Sequence, residues 1–76
     1  MMLGIEGRGT ERVLRRLGGL SAVRAVHSTN GRWDVIVEIG NASLEAFDTV
    51  LSQIRRLEGV ATSETSLLLS TRKSSL

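Results

Sequence analysis

Apolar residues along this chain recur at two different periods, and the periods alternate. Between Thr10 and Leu17, Val13, Leu14 and Leu17 form one face of a helix, with Glu11 placed to pair with Arg15 one turn later. Thr10 is the expected N-cap, its hydroxyl taking an orphan amide of the first turn, and Gly18-Gly19 are expected to end the helix in a left-handed conformation. A second helical pattern runs from Ala42 to Leu57, where Leu44, Phe47, Leu51, Ile54 and Leu57 follow three- and four-residue steps. Asn41 or Ser43 can cap it. Glu45 and Asp48 lie toward the positive end of its dipole, Arg55 and Arg56 lie at the negative end, and Gly59 follows.

Between the helices the period shortens to two. Val23 to Thr29 and Trp33 to Ile39 are rich in β-formers and are separated by Asn30-Gly31, which predicts a tight hairpin because both residues tolerate positive φ. On the second of these strands Trp33, Val35, Val37 and Ile39 share one face, while Asp34, Ile36 and Glu38 share the other. The second face is mixed and suits a partner. A last strand is expected over Ser63 to Thr71, where Leu67-Leu68-Leu69 is apolar on both sides, as if covered by helices on one face and a subunit on the other. Met2 to Glu6 reads as a short first strand.

Arg15-Arg16-Leu17-Gly18-Gly19-Leu20 has an echo in Arg55-Arg56-Leu57-Glu58-Gly59-Val60, each at a helix end before a strand. Two β-α-β halves follow. With right-handed crossovers they predict an α+β, ferredoxin-like βαββαβ fold: a four-stranded antiparallel sheet with two helices on one face, dimerising through the other. Residues 1–72 are expected to form this single domain and residues 73–76 a flexible tail.

Length and composition narrow the setting. A domain of 76 residues hides a smaller share of its surface than a larger one, so help from a second subunit is expected. There is no Cys to supply a disulfide or a thiolate metal site. No apolar run approaches the ~20 residues a membrane span needs, and no secretory signal opens the chain, which points to the cytoplasm. Nine Arg and one Lys are nearly offset by eight acids, leaving a net charge of +2, so direct nucleic-acid binding gains little support. The aromatics are Trp33 and Phe47, too few for an RNA-stacking sheet.

Catalytic and metal chemistry is equally sparse. His27 is the single histidine and lacks companions at ligand spacing, so neither a metal nor a cofactor is expected. Ser28, His27 and Asp34 are the residue types of a hydrolase triad but lack a nucleophile elbow, and no catalytic residue is assigned.

The segment Gly31-Arg32-Trp33-Asp34-Val35-Ile36-Val37-Glu38, followed by a helix and then Leu57-Glu58-Gly59-Val60-Ala61-Thr62-Ser63-Glu64-Thr65-Ser66-Leu67, resembles the effector-binding domain of the Lrp/AsnC transcription regulators. The likeness spans roughly residues 10–72 and is similar to the short stand-alone members that lack a helix-turn-helix. It implies dimers formed through the sheets, further assembly into tetramers or octamers, amino-acid binding in clefts between dimers, and full-length regulators of the same family as partners.

On that resemblance the effector site is expected at Gly31, Trp33 and Asp34 together with Thr62, Ser63, Glu64 and Thr65. Gly31 lets the backbone approach a ligand, Asp34 can receive an ammonium group, Trp33 can wall the pocket, and the Thr/Ser/Glu cluster offers hydroxyls, amides and a carboxylate. Each also has a plain structural role: Asn30-Gly31 as a turn, Asp34 as a brace, Trp33 in an interface, and the cluster as solvated strand residues. Two other readings differ in class. One is a small dimeric monooxygenase or isomerase using His27 or Asp34 in a pocket between sheet and helices; the other is an assembly module without a ligand.

Overall fold

Six elements follow one another as β1 (Met2–Ile5), α1 (Thr10–Gly18), β2 (Val23–Ser28), β3 (Val35–Ile39), α2 (Leu44–Arg55) and β4 (Val60–Glu64). The structure is a computed structural model and describes residues 1–40 and 43–68. Its strands form one four-stranded sheet in the order β2-β3-β1-β4, with every neighbouring pair antiparallel. This is the ferredoxin-like βαββαβ fold that the alternating periods predict.

Strand register decides which side chains share a face. Val26 lies opposite Val37, His27 opposite Ile36 and Ser28 opposite Val35. Met2 sits between Ile36 and Glu64, and Leu3 between Val35 and Ser63. Because side chains alternate across a strand, Leu3, Val35 and Val37 point to one side. There they are buried with Val13 and Leu17 of α1 and Leu51 and Ile54 of α2, so both helices cover that side. Met2, Ile36, Glu38 and His27 point to the other side, which no element among the described residues covers.

Several local expectations are corrected. Gly9, not Thr10, is the N-cap of α1; it makes no side-chain cap, and its carbonyl accepts from the Val13 amide at 3.0 Å. The Glu11–Arg15 pair does not form; among the described residues the ion pairs are Arg12–Glu58 at 3.3 Å and His27–Glu38. Gly18 and Gly19 are not left-handed. Gly19 keeps φ −86° while its amide bonds the Arg16 carbonyl at 3.1 Å, so a tightened last turn satisfies the helix end instead.

α2 is shorter than its apolar pattern suggests. Ser43 caps it, its hydroxyl accepting from the Ala46 amide at 3.1 Å; Asn41 and Ala42 lie outside the described residues. Leu51 and Ile54 are buried, but Leu44 is 79% exposed and takes no part in the core.

The β2–β3 connection is not a two-residue turn. An Asn30-Gly31 turn would place Thr29 opposite Arg32, whereas the Thr29 amide bonds the Asp34 carbonyl at 3.1 Å and Ser28 lies opposite Val35. Gly31 is not at positive φ; its amide is turned onto Thr29 Oγ1 at 3.1 Å. The cause lies in β1: the Asp34 amide donates to the Leu3 carbonyl at 2.9 Å and the Ile5 amide to Asp34 Oδ2 at 2.7 Å. These bonds fix where β3 begins and leave Trp33 in the loop. The displacement is by two positions, which preserves the facing of every β3 side chain.

β4 starts earlier than expected and ends at Glu64, before the leucine run. Glu64 already lies opposite Met2, the first residue of β1, so the chain beyond it has no β1 residue left to pair with. Leu67 and Leu68 are consequently 61% and 85% exposed. Leu69, the rest of the predicted strand and the 73–76 tail lie outside the described residues.

Candidate functional site

The residues expected to hold an effector divide among three places. Asp34 and Thr62 are brought together: Thr62 lies opposite Gly4 on β4, and Asp34 is bonded to both neighbours of Gly4 on the other side. A side chain at position 4 would run into the Thr62 hydroxyl. Gly4 therefore leaves a shallow spot on the uncovered face with a carboxylate on one flank and a hydroxyl on the other. Glu64 is on the same face, one row farther along.

Ser63, opposite Leu3, points to the helix side, and Thr65 lies past the end of β4; neither joins them. Gly31 is exposed in the loop, and Trp33 is half-buried beside Arg32, whose guanidinium carbon lies 5.8 Å from the ring centroid. That is cation–π distance. Trp33 is thus held by its neighbour in sequence and not by the core face of β3.

At the opposite end of the sheet lies a concavity of about 730 Å³. Its walls include Ile36, Phe47, Leu44, Leu67 and Leu68, and Arg24 and Glu38 supply charge. The exposed large apolar residues among those described, Ile36, Leu44, Leu67 and Leu68, converge here. A side chain at Gly40 would run into the Arg24 guanidinium, so the glycine is what lets that cation lie over the backbone. Thr65 also lines the cavity, and its Oγ1 is buried without a hydrogen-bond partner. Of the predicted site residues, Thr65 alone is in this wall.

The polar groups nearby are coupled. His27 Nε2 lies 2.8 Å from Glu38 Oε2. The Met1 ammonium donates to the Val37 carbonyl at 2.9 Å; burial pushes its pKa below the ordinary value, against the charge of Glu38, which acts to raise it. His27 and Asp34 line neither this cavity nor the smaller one between Arg8, Arg12 and Glu58. The described residues contain no cluster of three metal-binding side chains and no helix long and apolar enough to cross a membrane.

Two patches without a cover, a small core and a ferredoxin-like order of elements are features of a domain that binds and assembles, and they agree with a comparison of sequences. The family profile described as the Lrp/AsnC ligand binding domain matches residues 1–76. The chain belongs to the Lrp/AsnC ligand-binding domain family. No curated protein matches it. Membership gives a regulatory, ligand-binding role to the Lrp/AsnC domain described here.

Sequence reasoning missed Arg24, Leu44 and Leu68 as parts of a concavity. Leu44 was hidden in the helical stripe, whose first turn is exposed while Leu51 and Ile54 are buried. A signal for Arg24 was available in Gly40, a glycine directly after a strand where no turn demands positive φ.

Proposed function

We propose that this chain is an amino-acid-responsive regulatory module that self-associates through the uncovered face of its sheet and acts in the cytoplasm. The observation that carries the reading is the match to a ligand-binding domain along the whole chain. Residues 1–72 then act as one unit, with Asp34, Thr62 and Glu64 on the open face forming the effector cleft where copies meet. Asp34 and Thr62 are its polar centre: one oxygen of Asp34 is engaged by the Ile5 amide, which leaves the other for an ammonium group.

Self-association is supported by the composition of the open face. Ile36 stands there 38% exposed, beside half-buried Met2 and the flat position of Gly4. Burial of such a face against a like face adds apolar contact that seven buried side chains do not supply alone. Homodimers, and tetramers or octamers built from them, follow, as does mixing with full-length regulators of the family.

The test is a thermal-shift series with each of the twenty amino acids at millimolar concentration. A ligand at 100 times its dissociation constant stabilises by ~2.7 kcal/mol. A selective rise supports the reading; no shift with any amino acid shifts weight to an assembly module without a ligand. The enzyme reading gains no support, because it needs His27 or Asp34 in a pocket between sheet and helices, and both lie elsewhere.

A further inference from the structure

The uncovered sheet face carries an uneven set of ionisable groups. Glu38 stands on β3, Asp34 just before it and Glu64 on β4, against one imidazole, His27 of β2. His27 and Glu38 are in contact at 2.8 Å, and each side chain is 54% exposed. Two other cations are near. Arg24 of β2 lies over Gly40, and the Met1 ammonium is within the field of Glu38. Both helices pack on the opposite side of the sheet.

We infer that the protonation of His27 sets the strength of self-association through this face, so that association tightens as the pH falls from about 8 to about 6. The inference rests on the reading that a second copy covers the face. In a two-fold dimer the same patch is presented by both partners, so the carboxylates of both copies enter one interface, in a setting of reduced dielectric. With a neutral imidazole beside it, Glu38 enters that setting with no cation in ion-pair contact among the described residues; with an imidazolium it enters as half of an ion pair. The exposed pair contributes little in the free chain. Its effect appears on burial.

The sign follows from proton linkage. The assembly binds a proton at His27 more tightly than the free chain does, so the contribution is present at acid pH and fades as pH rises past the point where the free side chain discharges.

Sedimentation velocity over a dilution series, at about pH 6, 7 and 8 and constant ionic strength, tests this in the full chain. The dissociation constant of the wild type is expected to rise on the order of tenfold across the range. His27→Gln should be weak and keep only the smaller pH dependence that the Met1 ammonium beside Glu38 brings, and His27→Lys should be tighter than His27→Gln; the exposure of the side chain makes all variants compatible with the fold, which circular dichroism checks. An oligomer whose strength ignores pH, or a pH dependence as large in His27→Gln as in the wild type, overturns the switch and leaves self-association intact. A chain that is monomeric at every pH and concentration overturns the self-association reading as well.

Discussion

Ile5 and Asp34 are tied across the end of two neighbouring strands, the Ile5 amide donating to Asp34 Oδ2 at 2.7 Å. The Asp34 amide is in turn held by the Leu3 carbonyl at 2.9 Å. A residue at the heart of the predicted effector cleft is thereby part of the sheet, and its remaining oxygen is positioned by that same bond.

Asp34 thus has two separable roles. Asp34→Ala removes the acceptor and should cost about 1–2 kcal/mol in denaturant unfolding. Asp34→Asn keeps an acceptor for Ile5 and should cost less, while losing the charge that would hold an effector's ammonium group. A thermal shift with amino acid that disappears in Asp34→Asn, with unfolding nearly unchanged, separates the two; a retained shift removes Asp34 from the effector site.

Gly59 connects the end of α2 to β4 at φ +103°, and its missing Cβ leaves room for Val13 Cγ2, which would stand 3.1 Å from a methyl there. Its carbonyl also accepts the Glu6 amide at 3.0 Å. Gly59→Ala is expected to destabilise the fold by roughly 1–3 kcal/mol through backbone strain and the Val13 contact together. Chemical denaturation measures it.

The helical stripe of α2 divides at its first turn. Ile54→Ala, at a position with 0% exposure, should cost about 2–5 kcal/mol. Leu44→Ala, at 79% exposure, should change the stability of the free chain by less than about 0.5 kcal/mol. Paired unfolding curves of the two variants check the division.

How far the sequence was legible depended on whether the determining contact was local. The forty-residue echo is a real repeat of structure: the Leu20 amide bonds the Leu17 carbonyl at 3.1 Å, and the Val60 amide bonds the Leu57 carbonyl at 3.2 Å. Helix period and strand alternation likewise put Val13, Leu17, Val35 and Ile54 on the apolar faces that meet in one core. The hairpin misled because Asn30-Gly31 is a local turn signal, whereas the loop is set by bonds from Asp34 to Leu3 and Ile5, some thirty positions earlier. The end of β4 misled for the same reason: Leu67 and Leu68 have strong strand character, but their pairing depends on a neighbour that β1 is too short to provide. In the candidate site, Asp34 and Thr62 were legible from the motifs. Their meeting around Gly4 was not, because it depends on the register of β1.

The central claim is that the open sheet face joins copies of this chain, and native mass measured by sedimentation velocity for wild type and Ile36→Glu tests it most directly. Ile36 stands on that face between His27 and Met2, outside the core, so a charge there should leave the fold intact. A wild type that is dimeric or larger, with Ile36→Glu reduced to a folded monomer, is the expected result. A wild type that stays monomeric at high concentration, or an Ile36→Glu variant with the wild-type mass, would contradict the account.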